Sequence, residues 1–208
     1  MKTLLLGATG LVGSELLRML LDDPRTSEVV VVARRSTGTK HPKLREEVFP
    51  LTEMEQHAGT FAVDAVFCAL GTTIKTAGSQ EAFRLVDHEL PIRAARLALA
   101  HGARQYLLVT ALGANAKSRV FYNRVKGEVE RDLSTLGYPS VTIARPSLLL
   151  GPREEHRPGE QWAKRLAFLM AGKYKAIEAG KVARALVHAA HAARPGVTIL
   201  ESREMQRE

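Results

Sequence analysis

The sequence predicts an α/β fold of the doubly wound type, with a parallel β-sheet between two layers of helices, and three observations support it. Short apolar runs alternate with helical patterns from the N-terminus onward. Residues 29–32 are four consecutive valines, which is typical of a strand covered on both faces. Long helical segments join the apolar runs, and such connections produce right-handed crossovers between parallel strands.

The individual elements are predicted in chain order from these patterns. Strands are expected at residues 2–6, 28–33, 64–70, 105–110, 140–145 and 197–201, with a weaker candidate at 47–49. Helices are expected at residues 11–21, 87–101, 121–136, 161–171 and 180–192, with a helical turn at 52–56. Gly102 and Gly137 directly follow two of these helices, as glycine often does at a helix C-terminus.

The length and regularity of the chain predict a single domain over residues 1–208. A chain of 208 residues that is 45% hydrophobic can form one well-packed core but is too short for two large domains. Residues 1–150 carry the regular alternation of strands and helices. Residues 151–208 are less regular and are predicted to form a small C-terminal cap.

The composition narrows the environment in which the protein works. A single cysteine, Cys68, excludes an internal disulfide and is typical of a reducing compartment. Gly7 and Gly10 interrupt the N-terminal apolar run, so neither a signal peptide nor a membrane span is predicted. We therefore expect a cytoplasmic protein without membrane contact.

The chain is basic, with a formal net charge of +8. A nucleic-acid partner is disfavoured, because the basic residues are scattered among acidic ones and aromatic residues make up only 5%. A basic surface that attracts a phosphorylated cofactor, or that keeps the protein soluble, is the preferred interpretation.

A glycine-rich turn follows the first predicted strand and precedes the first predicted helix. Its residues are Gly7, Thr9, Gly10, Leu11, Val12 and Gly13. Glycine permits a sharp turn and a close backbone approach, and the helix N-terminus attracts a pyrophosphate group. This context predicts a dinucleotide-binding turn, in which the Thr9 hydroxyl could reach a phosphate oxygen. A purely structural turn is the alternative.

The residues after the second predicted strand indicate which dinucleotide is bound. NAD-binding turns place an acidic residue about 20 positions further on, where it binds the ribose 2′-hydroxyl. Here that count reaches Ala33 and Arg34, with Arg35 next, and there is no acidic residue between Glu28 and Glu46. Because a guanidinium can bind a 2′-phosphate through two hydrogen bonds, the sequence predicts NADP(H) rather than NAD(H). A solvated basic loop is the alternative.

Tyr122 and Lys126 are four residues apart and share one face of the predicted helix 121–136. A neighbouring ammonium group favours the phenolate form of a phenol and so prepares it for acid–base catalysis. The sequence thus offers Tyr122 and Lys126 as a candidate catalytic pair.

At these residues the chain resembles the short-chain dehydrogenase/reductase family, in particular its atypical, extended branch that includes the Tat-interacting oxidoreductases. The resemblance covers about residues 1–150 and is carried by the motifs at residues 7–13, 67–73, 122–130 and 144–147. It implies a Rossmann fold, with Tyr122 as proton donor or acceptor and Lys126 as its partner and a ligand of the cofactor ribose.

The resemblance also implies further cofactor-binding residues and marks two departures. Ala69, Leu70 and Gly71 would line the adenosine-ribose side, and Pro146 and Ser147 would pass near the nicotinamide. Thr110, at the end of the strand before the helix 121–136, lies near the position where the family carries its catalytic serine. The resemblance implies that Thr110 orients the substrate oxygen and completes a catalytic set with Tyr122 and Lys126. Asp87 stands where many extended members have an asparagine.

Two functions from different classes remain open. The first is an NADP(H)-dependent oxidoreductase acting on a small carbonyl or alcohol, with the cofactor in residues 1–150 and the cap on the substrate side. The second is a non-catalytic NADP(H)-sensing protein that regulates a protein partner. A homodimer also stays open. No metal site is predicted, since His188 and His191 lack a third ligand nearby in the sequence.

Overall fold

Seven parallel strands form the main sheet of the computed structural model, which describes residues 1–150 and 175–208. The strands of the described residues are β1 (Lys2–Leu6), β2 (Glu28–Ala33), β3 (Leu44–Val48), β4 (Ala65–Cys68), β5 (Gln105–Val109), β6 (Ser140–Arg145), β7 (Leu149–Leu150), β8 (Ile177–Glu178) and β9 (Gly196–Glu201). The main sheet has the order β3-β2-β1-β4-β5-β6-β9, while β7 and β8 pair separately. This order confirms the predicted doubly wound α/β fold.

The helices connect these strands. They are α1 (Leu11–Asp22), α2 (Ile74–Ala77), α3 (Gln80–Arg84), α4 (Leu90–Ala100), α5 (Phe121–Ser134), α6 (Ala179–Ala192) and α7 (Ser202–Met205). A 3₁₀ segment spans Leu51–Phe61, and a π-helical turn, Leu85–Glu89, joins α3 to α4. The helix predicted at 87–101 therefore starts within this π-helical turn. The helix predicted at 161–171 lies outside the described residues.

The alternation of side chains along each strand supplies a core to both faces of the sheet. In β1, Leu4 and Leu6 join one buried cluster, which includes Ala94 and Ala98 of α4. Leu5 points to the opposite face and joins a second cluster, built largely from α1 and α6. Apolar runs without polar alternation are needed for such a sheet, and the valines of β2 meet this requirement.

The C-terminal residues extend the same sheet. β9 runs parallel to β6 with Ser140 opposite Gly196, and α6 packs against α1. The described part of the segment predicted as a cap, residues 175–208, therefore contributes an edge strand and a covering helix. Among the described residues, no helix has both the length and the apolar character needed to cross a membrane.

The strand order creates a crevice at one edge of the sheet. The chain leaves β1 toward β2 and β3 on one side and then returns to β4 on the other side. The carboxyl ends of β1 and β4 therefore diverge into their loops at adjacent positions, and such a switch point is where open α/β sheets bind ligands. The glycine turn and the loop at residues 69–73 both start there.

Candidate functional site

The backbone of the glycine turn packs too tightly for side chains at two positions. Gly7 has a φ of +82°, and a Cβ atom there would lie 2.5 Å from the carbonyl oxygen of Ala69. A Cβ atom on Gly13 would lie only 1.9 Å from the carbonyl oxygen of Gly7. Gly10 has more room, since its Cβ would lie 3.4 Å from that same oxygen. The turn thus holds β1, β4 and α1 in close backbone contact.

The N-terminus of α1 is available to an anion. Its N-cap residue, Gly10, provides no side-chain hydrogen bond, and its first turn contains no acidic residue. Thr9 and Gly10 are exposed, while Val12 and Gly13 are buried beneath them. The first amide groups of a helix have no intrahelical acceptor, so those that begin at Leu11 can bind a phosphate oxygen. The geometry fits the pyrophosphate of a dinucleotide.

The structure separates the basic residues that follow α1 into two groups. Lys43 and Arg45 form contacts that hold neighbouring segments together. The Lys43 Nζ atom donates to the carbonyl oxygen of Asp23 at 2.8 Å, and Arg45 forms an ion pair with Glu28 at 2.9 Å. Arg34 and Arg35 directly follow β2 at the carboxyl edge of the sheet and are exposed. Their guanidinium groups form no ion pair with the other described residues, and they remain candidates for a 2′-phosphate.

The loop after β4 lies beside the glycine turn. Its first amide, on Ala69, donates to the carbonyl oxygen of Leu6 at 2.9 Å, which ties the loop to the end of β1. Ala69 and Leu70 are half-buried and Gly71 is exposed. The structure therefore brings the three residues predicted for the adenosine-ribose side to the same crevice as Gly7.

Lys126 is buried and bound to Asp87. Its Nζ atom lies 2.7 Å from Asp87 Oδ1, and the two side chains are 6% and 0% exposed. Asp87 belongs to the π-helical turn, and its other oxygen, Oδ2, accepts the amide hydrogen of Thr72 at 2.9 Å. The ammonium lies close beneath this loop, 3.8 Å from where a Cβ atom of Gly71 would be.

Opposing influences act on the charge of Lys126. Burial lowers the pKa of its ammonium, but attraction to Asp87 and Tyr122 outweighs burial and raises the pKa above its ordinary value. Tyr122 lies one turn earlier on α5, and its ring packs against Phe83 at 5.6 Å between centroids. The predicted pair is therefore together in the structure, with a charged lysine.

Gly127 explains how α5 reaches this position. A Cβ atom there would lie 2.0 Å from the amide nitrogen of Ala116, so α5 packs directly on the loop that follows β5. This contact was not predicted from the sequence. Its only sequence signal is a glycine inside a helix, where that residue is unfavourable unless close packing requires it.

Thr110 is not directed to the same place as Tyr122. Its buried hydroxyl donates to Glu130 Oε1 at 2.6 Å, and Glu130 also pairs with Arg145 at 2.5 Å. Glu130 lies eight residues after Tyr122 on α5, which is about 12 Å along the helix axis. The structure therefore places the Thr110 hydroxyl in a polar cluster with Glu130 and Arg145.

Pro146 and Ser147 lie directly after β6, at the same carboxyl edge. The Pro146 carbonyl oxygen accepts the amide hydrogen of Leu112 at 2.8 Å. The Ser147 hydroxyl donates to the carbonyl oxygen of Lys175 at 2.5 Å and accepts a hydrogen bond from Ser202 at 2.9 Å. Both residues thus connect the site edge to neighbouring segments. In the described ranges, no group of three or more metal-ligating side chains occurs.

The parallel sheet, the glycine turn and the open helix N-terminus define a protein of the Rossmann class with a crevice suited to a dinucleotide. Comparisons with known proteins agree. Residues 2–88 match the family described as semialdehyde dehydrogenase, NAD binding domain. The chain is 36% identical over 199 residues to the mitochondrial protein fmp52 of Aspergillus fumigatus, covering 89% of this chain and 85% of that one. It is 34% identical over 165 residues to protein HTATIP2 of Rattus norvegicus, covering 77% and 68%.

The chain accordingly belongs to the family of FMP52 and HTATIP2, an atypical branch of the short-chain dehydrogenase/reductases. Solved structures support the fold. MoeE5 in complex with UDP-glucose and NAD is 17% identical, covers 99% of this chain with 79% of its own length, and has a TM-score of 0.75. WbmH of Bordetella bronchiseptica in complex with NAD+ is 19% identical, with coverages of 97% and 75% and a TM-score of 0.73.

These relatives correct one expectation. The cytoplasmic location predicted from the sequence is wrong by this comparison, because the fungal relatives are named as mitochondrial proteins. The prediction rested on one cysteine and an interrupted apolar run. Cys68 is buried and unpaired, and a buried thiol suits any reducing compartment, so it could not distinguish between them.

Proposed function

We propose that this protein is an NADP(H)-dependent oxidoreductase that acts on a small carbonyl or alcohol, with Tyr122 as the proton donor or acceptor. The observation that carries the proposal is the buried Lys126 ammonium. It lies one helical turn from Tyr122 and 2.7 Å from Asp87, beneath the loop that borders the glycine turn. Buried charges of this kind are concentrated at functional sites, because burial without function would cost stability.

The cofactor-binding part of the proposal rests on the carboxyl edge of the sheet. The amides that begin α1 would hold the pyrophosphate, and the loop at residues 69–71 would border the adenosine ribose. Arg34 and Arg35 would bind a 2′-phosphate, which an acidic residue at this place would repel. Lys126 would hold the hydroxyls of the second ribose. When bound, the nicotinamide supplies or accepts a hydride, which amino-acid side chains cannot do.

Tyr122 would complete the reaction by moving one proton. In the reductive direction its phenol donates a proton to the oxygen of the carbonyl substrate, and in the oxidative direction the phenolate accepts it back. The Lys126 ammonium stabilises the negative charge that this transfer leaves on the phenolate oxygen.

Removing the hydroxyl group of Tyr122 tests its role as proton donor or acceptor. Tyr122→Phe retains the packing on Phe83 and removes only the hydroxyl, so we expect NADPH affinity to stay within twofold. Turnover should fall by at least about 100-fold, the lower range for losing a general acid. The assay follows NADPH absorbance with a panel of aldehydes, ketones and quinones, and calorimetry gives the affinity.

Tyr138→Phe is the matched control for the tyrosine experiment. The Tyr138 hydroxyl donates to the carbonyl oxygen of Ala95 at 2.7 Å, within the core and away from the crevice. This variant should lose some stability but keep the activity of the unmodified protein. Full activity of Tyr122→Phe, measured beside this control, would reject the proposed proton transfer.

A second function is favoured by the orientation of Thr110. Its hydroxyl already donates to Glu130, so a substrate oxygen would have to compete for this hydrogen-bond donor. A non-catalytic NADP(H) sensor needs the nucleotide site but no such hydroxyl. Tight NADPH binding, combined with no turnover across the whole substrate panel, would favour this sensor over the enzyme.

A further inference from the structure

We propose that Asp87 is the positioning residue of the site, the counter-ion that holds the Lys126 ammonium charged and in place before any nucleotide binds. The inference deepens the proposed function and rests on it for its catalytic meaning. The juxtaposition itself, a fully buried carboxylate 2.7 Å from a buried ammonium, is a property of the chain alone.

The carboxylate of Asp87 is fixed by contacts from two different elements. Oδ1 faces the Lys126 Nζ atom on α5, and Oδ2 accepts the amide hydrogen of Thr72 in the loop after β4. Asp87 itself sits in the π-helical turn before α4. Single π-helical turns inside longer helices are rare and frequently occur at functional sites. The three elements thus meet at one carboxylate, which leaves the ammonium little freedom to move.

Three titratable groups act on Lys126 in the described structure: Asp87, Tyr122 on the same helix, and Cys68 at the end of β4. Burial raises the pKa of the Cys68 thiol, which keeps it neutral. Tyr122 contributes a full negative charge only once it has lost its proton. Asp87 therefore supplies the compensating charge in the resting protein. Without it, burial would favour the neutral amine, which cannot stabilise a phenolate.

Asp87→Asn removes the negative charge while nearly keeping the shape of the side chain. The asparagine side-chain oxygen can still accept the Thr72 amide hydrogen, and its volume is nearly the same. Asp87→Glu keeps the charge and adds one methylene group. Asp132→Asn is the matched control: it removes a carboxylate from α5 that pairs with His88 at 2.8 Å and does not contact Lys126.

The test is an NMR titration of the nucleotide-free protein labelled with ¹³C at the lysine ε carbon. Lys126→Met identifies the Lys126 resonance by its disappearance. In the unmodified protein we expect Lys126 to lose its proton at a higher pH than the exposed lysines. In Asp87→Asn we expect the midpoint to fall by at least one pH unit, a tenfold change in proton affinity. Asp87→Glu should restore most of it.

Two results would overturn the inference. One is a Lys126 midpoint in Asp87→Asn that matches the midpoint in Asp132→Asn. The other does not depend on Asp87→Asn: it is a midpoint at or below that of the exposed lysines in the unmodified protein. This result decides the matter even if Asp87→Asn fails to fold. A midpoint that shifts as expected supports the inference.

The titration is independent of the proposed enzyme activity. A shifted Lys126 midpoint in a protein that turns over no substrate would support the role of Asp87 and reject the oxidoreductase. Calorimetry of NADPH binding at pH 7 and pH 9 provides the functional readout. We expect Asp87→Asn to lose more affinity than Asp132→Asn, and the difference to be larger at pH 9 than at pH 7, because a larger fraction of its Lys126 is then neutral. Equal losses would show that Asp87 supports the structure without maintaining the charge.

Discussion

Replacing Gly13 by alanine should damage nucleotide binding far more than a single methyl group suggests. The new Cβ would lie 1.9 Å from the carbonyl oxygen of Gly7 and 2.7 Å from its carbonyl carbon. A relaxed contact needs more than 3 Å, so the turn and α1 must separate by about 1 Å. Overpacking of this kind costs about 1–3 kcal/mol of stability. The better helix propensity of alanine offsets up to about 1 kcal/mol of that cost.

The same displacement moves the amides that begin α1. We expect Gly13→Ala to lower the free energy of unfolding by up to about 3 kcal/mol and NADPH affinity by at least tenfold. Urea unfolding and calorimetry measure the two effects. Gly59→Ala is the control, since a Cβ there has no neighbour within 4 Å. If Gly13→Ala matched that control in both stability and affinity, the backbone contact described for the turn would be refuted.

Two further predictions concern charges. Lys126→Met leaves the Asp87 carboxylate buried without its partner. We expect the free energy of unfolding, measured with urea at pH 8, to fall by about 3–5 kcal/mol, which is the usual effect of breaking a buried ion pair. That loss should shrink toward pH 5, because burial raises the pKa of Asp87 and its protonation removes the unpaired charge; an equal loss at both pH values contradicts the pairing. The pKa of Asp23 lies below its ordinary 3.8: burial opposes this shift, but the Arg25 amide and His191 outweigh it. A lowered carboxyl pKa stabilises the fold above about pH 4 and stops doing so as pH falls through the folded value. Asp23→Asn should therefore lose less of its free energy of unfolding between neutral and acid pH than the unmodified protein does. Identical losses in the two proteins would contradict a stabilising role of the Asp23 carboxylate.

The fold was largely predictable from the sequence because its central strands are apolar on both faces. The four valines of β2 could only be buried in a sheet covered by two layers. β3 was harder to predict, since residues 45–47 are charged and its position at the sheet edge leaves them partly exposed. There Arg45 pairs with Glu28 of β2, a contact between elements that periodicity does not reveal.

The site was predictable where one short segment forms it, and less so where distant segments meet. The glycine turn is local, and its close contacts match the pattern of residues 7–13. The Thr110 hydroxyl donates to Glu130, which lies 20 positions away in the sequence. The position of Thr110 at the end of a strand therefore did not reveal where its hydroxyl points. In the sequence, Asp87 differs from the asparagine that the family resemblance implies, and nothing more about its role is evident there. Its ion pair with Lys126 required the π-helical turn and α5 to be seen together.

The central claim is that the crevice binds a nicotinamide dinucleotide with a third phosphate. Calorimetry with NADPH and NADH tests it most directly, with Arg34→Asp as the variant. Arg104→Asp serves as the control, because this exposed residue carries the same charge and precedes β5 at the opposite edge of the sheet. We predict at least tenfold tighter binding of NADPH, a preference lost in Arg34→Asp and kept in Arg104→Asp. Equal affinity for the two nucleotides in the unmodified protein would contradict the assignment of the 2′-phosphate to Arg34 and Arg35.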